Sequence, residues 1–76
     1  MNLDKEMETH KFNLQQMLDA EFELYRDNES AIYGIANAAH LLSLIESIRN
    51  DEINVDKIPE LKTEILEYYK VSGIKY

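Results

Sequence analysis

Apolar side chains recur along the chain in three blocks, and in each the period is that of a helix. In the first block, about residues 3–26, Leu3, Met7, His10, Leu14 and Met17 fall at three- and four-residue steps, and Leu24 follows seven residues later, two turns on. That spacing stacks side chains on one face of an α-helix. Leu18, Phe22 and Tyr25 widen the same face. Asn2 is placed to cap the helix, and Asp4 and Glu6 suit the positive end of its dipole. Glu21 interrupts the narrow seam, so the pattern is not a strict coiled-coil heptad.

The second block, about residues 30–49, has no Asp, Glu, Lys or Arg from Ser30 to Ile45. On a helical wheel Ile32, Ile35, Ala36, Ala39 and Leu42 form one apolar face. Ala38, Leu41, Ile45 and Ile48 form a second, with Tyr33 and Leu44 between them. A helix apolar nearly all round is one covered on several sides. Gly34 and Ala38, four residues apart, would let another helix approach closely, although Gly34 costs about 1 kcal/mol relative to Ala in a helix interior. A membrane span is the competing reading. It needs about 20 apolar residues, whereas this run is shorter, holds Asn37 and His40, and ends in Glu46 and Arg49.

The third block, about residues 57–70, carries Ile58, Leu61, Ile65 and Tyr68 on one stripe with Tyr69 alongside, and Glu60, Glu64 and Glu67 on another. Asp56 reads as its cap, Pro59 fits the first turn, and Gly73 is a natural stop before a short tail. The polar segments 26–30 and 49–55 separate the blocks. The first lacks Gly and Pro, so a continuous helix through it stays open. Strand signals are weak throughout. The pattern predicts an all-α fold in one domain over residues 1–76: a long antiparallel hairpin plus a C-terminal helix.

Size and charge sharpen this picture. A chain of 76 residues buries only about 60–65% of the surface its unfolded form exposes, and apolar burial then barely offsets the lost chain entropy. Cys is absent, so no disulfide can compensate. Self-association is the remaining device, and it agrees with the two-faced central helix. A homodimer is predicted, with Gly34, Ala38, Leu41 and Ile45 at its interface. The net charge of −7 argues against direct binding to nucleic acid, which needs cations against phosphate, and against anionic membranes. It suits a basic protein partner, or mimicry of nucleic acid. The N-terminus carries no apolar leader, and with no Cys a cytoplasmic location is expected. A scarcity of Gly, Pro and Trp beside plentiful Ile, Asn, Lys and Glu hints at a bacterial or phage source.

Candidate chemistry is sparse. His10 and His40 have no His partner at helical spacing. Glu6 precedes His10 by four residues, which makes a poor metal pair, and His10 reads as solvated or interfacial. His40, inside the apolar block, reads as hydrogen-bonded and partly buried. Glu60, Glu64 and Glu67 could serve acid–base or cation chemistry in a cleft, but a short helical chain has little room for one. No nucleophile elbow or phosphate loop occurs. No enzyme, metal or cofactor is therefore expected.

Phe12 is the exception to the pattern. It falls on the polar side of the first helix among Glu8, Gln15, Gln16, Asp19 and Glu23, and an exposed aromatic can anchor an interface. The functional expectation is a small acidic protein-interaction module, a regulator or inhibitor. Its partner-binding residues would be Phe12, Glu8, Gln16, Asp19, Glu23, Glu60, Glu64 and Glu67. A nucleic-acid mimic blocking a basic groove is the second expectation.

Overall fold

The computed structural model describes residues 2–72, and among these the fold is all-α. Helix α1 spans Lys5–Tyr25, α2 spans Ile32–Arg49 and α3 spans Ile58–Ser72, with single 3-10 turns at Glu29–Ala31 and Val55–Lys57.

Local chemistry sets each boundary. Helix α1 begins later than Leu3 because Asp4, not Asn2, is the cap: its carboxylate accepts the Met7 N–H at 2.8 Å, which satisfies one of the orphan donors of the first turn. The chain does break after α1. The N–H groups of Asp27 and Asn28 both donate to the Leu24 carbonyl, and the Asn28 side chain accepts from the Ser30 N–H at 3.0 Å. Helix α2 ends in a Schellman turn. Asp51 takes φ 59°, Asp51 N–H donates to Ile48 and Glu52 N–H to Ser47; Asp is among the few residues that tolerate this backbone. Before α3, Asn54 caps the 3-10 turn Val55–Lys57, its side chain accepting the Asp56 N–H at 3.1 Å, and Asp56 lies inside that turn. Pro59 sits in the first turn of α3 as expected. The helix continues past Lys70 to Ser72. Gly73 and the tail from Ile74 lie outside the described residues.

The helices run up, down and up. Lys11 reaches Glu46 at 3.2 Å across the antiparallel pair α1–α2. Helix α3 runs parallel to α1, with Lys62 bridging Asp4 at 3.2 Å and Glu6 at 3.1 Å, and Tyr69 meeting His10 further along both helices. The Tyr68 hydroxyl donates to the Gly34 carbonyl at 3.3 Å, tying the end of α3 to the start of α2. Met7, Leu14, Ile45, Ile48 and Ile65 are the largest side chains fully enclosed between the three helices.

The central helix departs from the expectation of cover on both faces. Both α1 and α3 pack on the side carrying Ala38, Leu41, Ile45 and Ile48. Of the other face, Ile35 is buried and Leu42 is half-buried against the core, whereas Ile32, Ala36 and Ala39 are exposed, with Ser43 beside them. The apolar face of α1 is also narrower than its composition suggests. Met7, His10, Leu14 and Met17 are buried, whereas Phe22, Leu24 and Tyr25 near its end are about half exposed.

Candidate interaction surfaces

Three surfaces of the helices are candidates for contact with other molecules. The first is the outer face of α1. At 100° per residue, Glu8, Phe12, Gln16, Asp19 and Glu23 share it, and all are exposed. Phe12 is 59% exposed. Neither α3 nor any other described element covers it.

The second is the outer face of α2. Ile32 is 46% and Tyr33 75% exposed, and Ala36, Ala39 and Ser43 continue the strip. No formal charge interrupts it between Ser30 and Ile45. By length and composition the 21 residues Glu29–Arg49 would suffice to cross a membrane, and 28% of their most apolar window is buried in the fold.

The third is a groove between α2 and α3, which pack together less extensively than α1 and α2. It widens into cavities of about 220 and 350 Å³ that share Glu64 as a lining residue. The floor is apolar, from Leu41, Leu44, Ile48, Leu61 and Tyr68, and Glu60, Glu64 and Glu67 stand along the α3 rim. The expected partner-binding residues thus divide between two places. Phe12 and its neighbours occupy one, and the three α3 glutamates line a groove between other helices.

The interface expected at Gly34, Ala38, Leu41 and Ile45 needs correction. Ala38 and Ile45 are completely buried and Leu41 is 5% exposed, all within one chain. Gly34 serves a different close approach. A Cβ there would stand 2.5 Å from Cδ of Glu21, so the missing side chain makes room for a carboxylate from α1.

The two histidines exchange the roles expected of them. His40 is exposed and borders the larger cavity. His10 is 8% exposed. Its Nδ1 lies 2.7 Å from the Tyr69 hydroxyl, and the two rings are 5.5 Å apart. Its Nε2 is buried with no hydrogen-bond partner among the described residues, and the Glu6 carboxylate is 3.6 Å away. That carboxylate favours the ring proton on Nε2, which leaves Nδ1 to accept from Tyr69. The Glu6–His10 spacing visible in the sequence thus marks a buried polar clamp between α1 and α3.

Ion pairs strengthen the same junction. Asp4 is held below the usual carboxylate range, first by the Met7 N–H and then by Lys62. Lys62 is raised, first through its hydrogen bond to Glu6 and then through Asp4. Lys62 was missed in the sequence; its position beside Leu61, at the edge of the α3 stripe, is the signal that could have found it. Glu46 is lowered, chiefly by the hydrogen bond from Lys11. Tyr68 is raised by burial and, secondarily, by the nearby Glu21. Among the described residues no three His, Cys, Asp or Glu side chains converge to hold a metal ion.

No protein-family model, curated protein or solved structure matches the chain.

Proposed function

We propose that the protein is a small, non-enzymatic interaction module that works as a homodimer in the cytoplasm and regulates or inhibits another macromolecule through a helical surface. The observation that carries this reading is Phe12, more than half exposed in the middle of a face bearing Glu8, Asp19 and Glu23. A large aromatic held on a rigid helix offers apolar contact at little entropic cost, the character of an interface anchor. Dimer formation uses the bare face of α2, because Ala38, Leu41 and Ile45 are buried within one chain. Two copies of a chain carrying −7 repel each other least where no charge lies, and that strip also offers Ile32 for desolvation. Direct binding to nucleic acid or to an anionic membrane is not part of this reading, because exposed carboxylates occupy both α1 and α3.

The test is affinity capture with tagged protein, followed by calorimetry on the purified partner. Phe12→Ala should leave the melting temperature unchanged and weaken binding by about 1–3 kcal/mol. A loss of stability with unchanged affinity would contradict the reading. The row of carboxylates Glu8, Asp19 and Glu23 favours a second reading, a nucleic-acid mimic. Affinity that falls steeply with salt and ignores Phe12 would select it.

A further inference from the structure

We infer that the α2–α3 groove is a docking site for a basic amphipathic helix of another protein, an inference that rests on the interaction-module reading and supplies its partner class. Between Asn37 and Ile48 the groove follows α2 for about 17 Å, at 1.5 Å per residue, which is the length of three helical turns. The two cavities along it have Glu64 as a common lining residue. Half-buried Leu44 and Ile53, and exposed Val71 towards the other end, would meet apolar side chains spaced at i, i+4 and i+7 on the incoming helix, the usual reading of a helix in a groove.

The two walls differ in charge. The α3 wall presents Glu60, Glu64 and Glu67 with Lys57 at its start, and the α2 wall presents Asn37 and His40. Glu60 meets Lys57 at 3.6 Å and Glu67 meets Lys70 at 3.9 Å, but all four side chains are more than 60% exposed. Such pairs are weak and exchange readily. Glu64, which lines both cavities, has no ion pair among the described residues. One acidic wall over an apolar floor selects Lys or Arg along one flank of the incoming apolar stripe, and it fixes which way round the helix lies. A second copy of this acidic chain fits poorly, since the carboxylates would repel it. Nucleic acid and anionic lipid are repelled in the same way.

The test uses the full chain, isotopically labelled, and two synthetic helical peptides of about 14 residues, a length that covers the groove. Both carry the same Leu stripe, one flanked by Lys and the other by Glu. The Lys peptide should shift the backbone resonances of Leu44, Leu61 and Tyr68, and the Glu peptide should not. Glu64→Lys should weaken the Lys peptide about tenfold, the scale of losing one charged contact. Glu29→Lys, with the same change in net charge in the exposed turn between α1 and α2, should leave its affinity within about twofold. Equal loss in both variants would reduce the effect to net charge and overturn the groove. Shifts centred on Phe12 would also overturn it while leaving the interaction-module reading in place. That reading fails separately, if the captured partner is indifferent to Phe12.

Discussion

The carboxylate of Glu21 on α1 lies over Gly34 on α2, where a Cβ would stand 2.5 Å from Cδ and 2.7 Å from either oxygen. The glycine is therefore matched to a flexible side chain of its own chain. Ala is the better helix former by about 1 kcal/mol, but at this position it must first push Glu21 aside. Gly34→Ala should stabilise by about 0.5–1 kcal/mol in a Glu21→Ala background and by less in the native one. Urea melts of the four proteins in this cycle measure the difference. An equal gain in both backgrounds would remove Glu21 as the reason for the glycine.

His10 and Tyr69 form a second coupled pair. Tyr69→Phe removes the hydroxyl that meets Nδ1 at 2.7 Å and strands a buried acceptor, at a cost of about 1–3 kcal/mol. Adding His10→Leu should recover much of that loss, because no polar ring then needs a partner. The double variant falling by the full sum of the two single losses would show that the bond contributes nothing beyond packing.

The pH dependence follows from the perturbed groups. Asp4 and Glu46 have folded values below their ordinary 3.8 and 4.5. Their contribution is complete above those values and is lost as pH falls through the lower folded ones. Lys62 and Tyr68 are raised above 10.5 and 10.0. Their contribution is complete below those values and is lost as pH rises through the higher folded ones. Urea midpoints should therefore drop below about pH 4 and again above about pH 10. Asn is as good a helix cap as Asp, so Asp4→Asn with Glu46→Gln changes the charges and keeps the cap. An acid limb of unchanged steepness in that variant would contradict the assignment.

The backbone turn after α2 offers a further check. Asp51 has φ 59°, and a β-branched side chain is excluded there by its Cβ. Asp51→Val should cost about 1–2 kcal/mol, read as a lowered melting temperature. A melting temperature equal to that of the parent would place the turn outside the cooperative unit.

Helix identity was readable because Met7, His10, Leu14 and Met17 on α1, and Leu61, Ile65 and Tyr68 on α3, repeat at helical spacing and are all buried. Capping was less readable. Asn2, Asp4, Asn54 and Asp56 are all acceptable caps, and only the position of the first packed side chain selects among them. The choice of face on α2 was not readable, because both faces are apolar and periodicity cannot say which one the other two helices will take. Gly34 was misread for a related reason: small residues mark close approach, and the sequence does not say by what. His10 and His40 exchanged roles because an apolar neighbourhood in sequence, as around His40, can still be a solvent-facing strip. Phe12 was readable because it breaks a pattern that its neighbours keep.

Neighbouring residues on α2 give the most direct test of the central claim, that the chain leaves one apolar face of this helix for a second copy. Ala38 is completely buried and Ala39 is exposed. The measurement is sedimentation equilibrium at micromolar concentration, with circular dichroism on the same samples, for the native protein, Ala38→Glu and Ala39→Glu. The native protein should sediment as a dimer. Ala38→Glu places a charge in the core and should abolish folding, whereas Ala39→Glu should keep the helical signal and sediment as a monomer. A native protein that sediments as a cooperative, concentration-independent monomer would contradict the claim.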